Sequence, residues 1–138
     1  TTVYPSIRAA ERLESSGIHA AVINSRFLKP LDWDLIGEWA RKIGKVLTVE
    51  ENVLQGGFGS GVLELLQEKG LFSVQVKRLG IPDLFVEHGP PSLLRAKYGI
   101  DEAGIYRAVM EMVEKERSPS LHSRQTRNSI KRVIRNSK

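Results

Sequence analysis

The chain has 138 residues, 41% hydrophobic and 27% charged, which suits one globular domain with a modest core and is too short for most multi-domain enzymes. A net charge of +5 points at first to nucleic acid or an anionic membrane, but Arg124, Arg127, Lys131, Arg132, Arg135 and Lys138 all fall in a tail over 118–138 that has no Asp or Glu, and the first 117 residues sum to −1. The absence of cysteine excludes disulfides, a thiol nucleophile and thiolate metal sites, and no apolar run is long enough for a membrane span.

Taken in chain order, Pro5 opens a helix over about 5–15, with Ile7, Ala10 and Leu13 on one side and Gly17 after it. The continuous apolar run Ala20-Ala-Val-Ile23 predicts a strand buried between helical layers, over about 20–25, before Pro30 interrupts it. Asp32 caps a helix whose Leu35, Ile36, Trp39, Ala40 and Ile43 form a broad stripe ended by Gly44. Lys45 to Val49 reads as a second strand, and the leucines Leu63, Leu65 and Leu66 mark a helix stopping near Gly70. Val74 and Val76 alternate with Gln75 and Lys77, as in an edge strand that Ile81-Pro82 ends. Pro90-Pro91 opens a short helix near 92–98, and Asp101 starts the last helix, with Ile105, Val109, Met112 and Val113 along one side. Strands alternating with helices predict an α/β domain with parallel strands and helices on both faces. The domain is expected over 1–117, followed by a basic, flexible tail over 118–138.

Chemistry concentrates in three places. Glu50-Glu-Asn-Val-Leu-Gln-Gly56-Gly-Phe-Gly-Ser-Gly61 follows a strand and leads into a helix, where exposed amides suit an anion. Gly57-x-Gly59-x-Gly61 is not a spaced dinucleotide fingerprint and no Gly-Lys-Ser/Thr follows, so a tight loop or interface turn is favoured over phosphate binding. Neighbouring strand residues face opposite ways, so Glu50 and Glu51 suit capping, loop-fixing or subunit contact better than paired acid/base work. Asp83, Glu87 and His88 put carboxylates near an imidazole without a nucleophile; a turn whose Leu84, Phe85 and Val86 pack on the sheet or on a partner is the favoured reading. His19, His88 and His122 have no metal-ligand spacing, Trp33 and Trp39 read as packing residues, and Arg26 and Lys29 as surface charge.

The ordered segments Ala20 to Asp32 (AAVINSRFLKPLD), Leu47 to Ser60 (LTVEENVLQGGFGS) and Val76 to Gly89 (VKRLGIPDLFVEHG), with Leu94 to Tyr98, Gly99-Ile-Asp101 and Gly104-Ile105, resemble the C-terminal domain of the 1-deoxy-D-xylulose-5-phosphate synthases, in the transketolase superfamily. The resemblance covers roughly residues 1–115. It implies a three-layer α/β/α fold with a mostly parallel sheet and a central strand ahead of the first helix, between the strands at 20–25 and 45–50. That strand is not in these 138 residues, so the physiological protein is expected to continue upstream of Thr1, and the chain alone to unfold with weak cooperativity.

The implied reaction condenses pyruvate with glyceraldehyde 3-phosphate, releases CO₂ and serves isoprenoid precursor synthesis. Thiamine diphosphate and Mg²⁺ belong to upstream domains in this reading, and no cofactor, metal or catalytic residue is assigned here. The domain would support a homodimer and the architecture around the upstream domains, with Glu50, Glu51, Gly56, Gly57, Phe58, Asp83, Glu87 and His88 as its structural or interface signature. Bacterial cytoplasm and plastid stroma are both compatible with it. The alternatives are the equivalent domain of a transketolase or two-oxoacid dehydrogenase relative, and a noncatalytic anion-binding interaction module that uses the tail.

Overall fold

A computed structural model of the protein describes residues 1–117; the basic tail predicted over 118–138 lies outside the described residues. In order come α1 (Val3–Glu14), α2 (Trp33–Ile43), β1 (Lys45–Val53), α3 (Phe58–Glu68), β2 (Gln75–Ile81), α4 (Pro91–Lys97) and α5 (Glu102–Arg117). The ends of α2 are set by local chemistry: Asp32 Oδ1 accepts from Leu35 N at 3.0 Å, and Gly44 closes the helix in the left-handed region at φ 73°. β1 and β2 pair in parallel, with Lys45 opposite Gln75 and Val49 opposite Leu79, and the register shifts before Val53 meets Ile81.

Alternation along β1 divides the core. On one side Val46 and Val76 pack with Ala40 of α2 and Val62 and Leu66 of α3. On the other, α1 lies along α5, and Ala9, Leu13, Ile105, Ala108 and Met112 are buried. Each face of the sheet thus carries helices, as the fold class predicted.

The strand expected over 20–25 is not formed, so the predicted three-stranded sheet has two strands among the described residues. The reason lies in hydrogen-bond accounting. A strand exists by its ladder, and among the described residues the main chain of residues 19–27 makes no backbone–backbone hydrogen bond. Between this stretch and β1 lies a groove of about 550 Å³, lined by Ala21, Ile23, Leu47 and Val49 and floored by α5 residues such as Val109 and Met112. It lies where the resemblance implied the central strand, and its apolar walls suit the long hydrophobic run of Ala20 to Ile23.

Candidate functional site

β1 delivers Glu50 and Glu51 to the carboxyl end of the sheet, the end at which open α/β sheets carry functional loops. The two carboxylates part company there. Glu50 is 6% exposed and turns toward α3, where its Oε2 accepts from Phe58 N at 2.6 Å and its Oε1 from Gly59 N at 2.9 Å. Both amides lie at the start of α3, so a fixed negative charge meets the positive end of the helix. The anion position that these amides could offer is filled by the protein's own carboxylate, in keeping with a tight loop.

This contact explains Gly57. A Cβ on Gly57 would stand 2.2 Å from Glu50 Oε2 and 2.3 Å from Val53 O, so any side chain there would collide with the carboxylate and with the main chain. Gly56 has φ 70°, and its amide donates to Ser60 Oγ at 3.1 Å. Ser60 Oγ donates to Leu54 O at 2.8 Å, and Arg78 Nη1 reaches both Leu54 O at 2.9 Å and Ser60 Oγ at 2.8 Å. One donor and two acceptor positions of the hydroxyl are thereby used. Behind the loop, Thr48 Oγ1 is buried with no hydrogen-bond partner among the described residues, beside the Gly59 backbone.

Glu51 turns the other way and pairs with Arg95 of α4. A side-chain hydrogen bond with Thr1, and then the Arg95 guanidinium, hold its carboxyl below the ordinary value against a partial burial that acts in the opposite sense. Glu87 pairs with Lys97 and accepts from Tyr98 Oη at 3.0 Å, which ties the loop after β2 to the end of α4. Lys97, a backbone amide and Tyr98 together bring the Glu87 carboxyl down to about 2, while Glu87 raises the Lys97 ammonium. Tyr98 is raised by desolvation first and by Glu87 second.

The predicted signature therefore falls into separate groups. Glu50, Gly56, Gly57 and Phe58 form one knot at the start of α3; Glu51 and Glu87 each hold a different part of α4. Asp83 and His88 are exposed and form no side-chain hydrogen bond or ion pair with a described residue, so the carboxylate–imidazole cluster is not assembled. Leu84, Phe85 and Val86 do not pack on the sheet: they are exposed, Phe85 completely. Ser60, Arg78, Arg95, Lys97 and Tyr98 were not singled out from the sequence. Only Arg78 left a signal there, as a long cation directly after Lys77 in a strand with an otherwise alternating pattern. Among the described residues no three His, Asp or Glu side chains gather as metal ligands, and no helix is long and apolar enough to cross a membrane.

The comparisons with known proteins bear on the family and the fold. The family model of the transketolase C-terminal domain matches residues 1–105. The 1-deoxy-D-xylulose-5-phosphate synthase 1 of Geobacter sulfurreducens is 54% identical over 119 residues, covering 86% of this chain and 19% of that protein. The 1-deoxy-D-xylulose-5-phosphate synthase of Desulfotalea psychrophila is 50% identical over 119 residues, covering 86% of this chain and 18% of that protein. The chain thus spans about a fifth of the length of these relatives. Among solved structures, a split-gene transketolase described as an inactive beta4 tetramer superposes with a TM-score of 0.73 at 37% identity, over 80% of this chain and 35% of that one. The chain belongs to the transketolase C-terminal domain family.

Proposed function

We propose that the chain is the C-terminal domain of a thiamine-diphosphate-dependent 1-deoxy-D-xylulose-5-phosphate synthase, a transferase that condenses pyruvate with glyceraldehyde 3-phosphate and releases CO₂. The observation that carries this reading is the 54% identity over 119 residues to a protein of that name. The domain's part is architectural: the Glu50 knot and the two α4 tethers hold the carboxyl end of the sheet as a shaped surface for the upstream domains and for the second subunit of a homodimer.

The cofactor does not fit the residues present. The α3 amides that would take a diphosphate already carry Glu50, and the described residues offer no clustered carboxylates for Mg²⁺. The reading therefore assigns both to other domains, and no step of the reaction is routed through this one. For the anion-binding alternative the α3 amides are likewise taken, while the tail on which that reading rests lies outside the described residues.

The test uses the full-length protein. Pyruvate and glyceraldehyde 3-phosphate should give CO₂ and the five-carbon ketose phosphate. Transfer of a two-carbon unit from a ketose phosphate, with no use of pyruvate, would replace this reading with that of a transketolase relative. E51A and H88A in the full-length protein test the interface assignment: if both variants kept the native dimer mass and kinetics, the assignment of those two residues would be wrong.

A further inference from the structure

Charge divides this chain in two. Residues 1–117 carry 15 Lys and Arg against 16 Asp and Glu, whereas 118–138, outside the described residues, carries six cations and no carboxylate. A segment so unbalanced is drawn to negative surface. Besides Leu121 its aliphatic residues are Ile130, Val133 and Ile134, at the i, i+3, i+4 spacing of one helix face. In the same projection Arg127, Lys131 and Arg135 form a row at four-residue steps along one flank of that stripe.

A groove of matching character lies between α1 and residues 19–22. Its volume is about 290 Å³, with Ile7 and Ala10 on the α1 bank and Ala20 and Val22 on the other. That is below the usual range of small-molecule clefts and suits a few inserted side chains better than a buried metabolite. Glu11 and Glu14 stand one turn apart on the α1 bank, and both are exposed. Glu11 has no side-chain hydrogen bond or ion pair with a described residue, and Glu14 has only His19 Nδ1 at 3.9 Å. An aliphatic floor with carboxylates along one bank is the complement of an aliphatic stripe with cations along one flank.

The segment reaches this groove. Arg8 pairs with Glu102, and the Arg12 guanidinium lies over the Tyr106 ring, one turn further along each helix, so α1 and α5 run side by side in the same direction. α1 stops at Glu14, while α5 continues to Arg117, past the end of α1. The groove lies on the other flank of α1, across one helix diameter of about 10–12 Å. Ile130 follows Arg117 by 13 residues, a reach of up to about 43 Å. The exposed loop of Leu84, Phe85 and Val86 is a poorer seat: Glu87 beside it is already held by Lys97, and Asp83 is left as its single unpaired carboxylate among the described residues.

We propose that the groove between α1 and residues 19–22 seats the chain's own basic segment, with Ile130, Val133 and Ile134 in the groove and Arg127, Lys131 and Arg135 along Glu11 and Glu14. Seated there, the six cations belong to the domain surface and compete with any outside polyanion for the same charges. The inference is independent of the reaction proposed above.

The chain has no cysteine, so a spin label on S129C of the whole 138-residue chain reports on this segment alone. A tether of this length holds its segment at a high effective concentration, and the amide signals of Glu11, Glu14, Ala20 and Val22 should weaken by about twofold or more. Two variants should each restore those signals: E11K/E14K, which changes only exposed side chains, and I130S/V133S/I134S, which alters no described residue. Unweakened signals at the groove, weakening that persists in either variant, or weakening at Leu84 to Val86 in place of the groove would each overturn the proposal. So would weakening seen only when labelled chain is mixed with a separate isotope-labelled copy, which would give the groove to the segment of a second copy. Activity is not the readout, so failure here leaves the proposed function standing, and failure of that function leaves this result untouched.

Discussion

Replacing Glu50 by alanine removes the acceptor for two amides at once, those of Phe58 and Gly59 at 2.6 and 2.9 Å. The Gly59 hydrogen bond is buried and the Phe58 one partly buried, so water replaces the carboxylate poorly at the first and only in part at the second. A buried donor left without a partner costs about 1–3 kcal/mol, and loss of a carboxylate at a helix start adds about 0.3–1 kcal/mol. Allowing for hydration of Phe58 N, local opening of the first turn of α3 becomes easier by about 2–4 kcal/mol. At about 1.4 kcal/mol per factor of ten, exchange at these amides should quicken by roughly 30- to 1,000-fold. E50Q keeps the shape and one accepting oxygen, and should lose about half as much. Exchange measured residue by residue is the right assay, because it does not require the whole chain to unfold in one step. If Phe58 and Gly59 exchanged at the parental rate in E50A, the capping role given to this carboxylate would be wrong. A second variant separates the two contacts of Gly57. G57A places its methyl against both Glu50 Oε2 and Val53 O, so combining it with E50A should relieve only the first clash and give a non-additive pair.

Other expectations bear on neighbouring residues. Thr48 buries a hydroxyl with no partner among the described residues, so T48V, which keeps the branched shape, should stabilise the protein by about 1 kcal/mol; a higher thermal midpoint checks it, and a lower one would mean that the hydroxyl has a partner. Glu87 is held at about 2, below the ordinary carboxylate value, and Lys97 is raised, so both shifts favour the charged pair. The tether is thus complete at neutral pH, begins to weaken below the ordinary carboxylate value and is lost as pH falls through about 2; on the basic side it survives past the ordinary lysine value. A carboxyl ¹³C titration should place the Glu87 midpoint near 2, and K97A should move it upward; a midpoint unmoved by K97A would refute the pairing.

The sequence was a good guide wherever the signal was local. Asp32 and Gly44 bracket α2 through contacts made within three or four residues, and the alternation of Val74 to Lys77 marks an edge strand that pairs on one side only among the described residues. The stretch at 20–25 misled for the opposite reason. Its apolar run reads as a buried strand, but most of it is exposed, and a strand needs a neighbour to bond with, which composition alone does not supply. The site was legible in its residue types and not in its pairings. Glu50 reaches eight and nine residues ahead, Arg78 reaches back 18 and 24, and Glu51 meets Arg95 across 44, all distances set by the chain reversals between elements. The grouping of Asp83, Glu87 and His88 failed because three residues close in an irregular loop share no fixed face; Glu87 finds its partners on α4 instead.

Hydrogen-bond valence gives the knot at the start of α3 its meaning. Both Glu50 oxygens are engaged by helix amides, Ser60 Oγ uses its donor and two acceptor positions, and Leu54 O accepts from both Ser60 and Arg78. A ligand entering here would have to displace a charge-assisted contact and leave a buried carboxylate behind, a loss greater than one phosphate bound at an exposed helix end would recover. The glycine-rich loop therefore acts as a rigid corner, and substitutions in it act first on stability. The groove on the other edge of β1 is the reverse case. There the walls are largely apolar, and no strand of the described residues pairs on that edge. The same strand thus has one side whose main-chain contacts are closed by β2 and one side that opens on a groove of about 550 Å³.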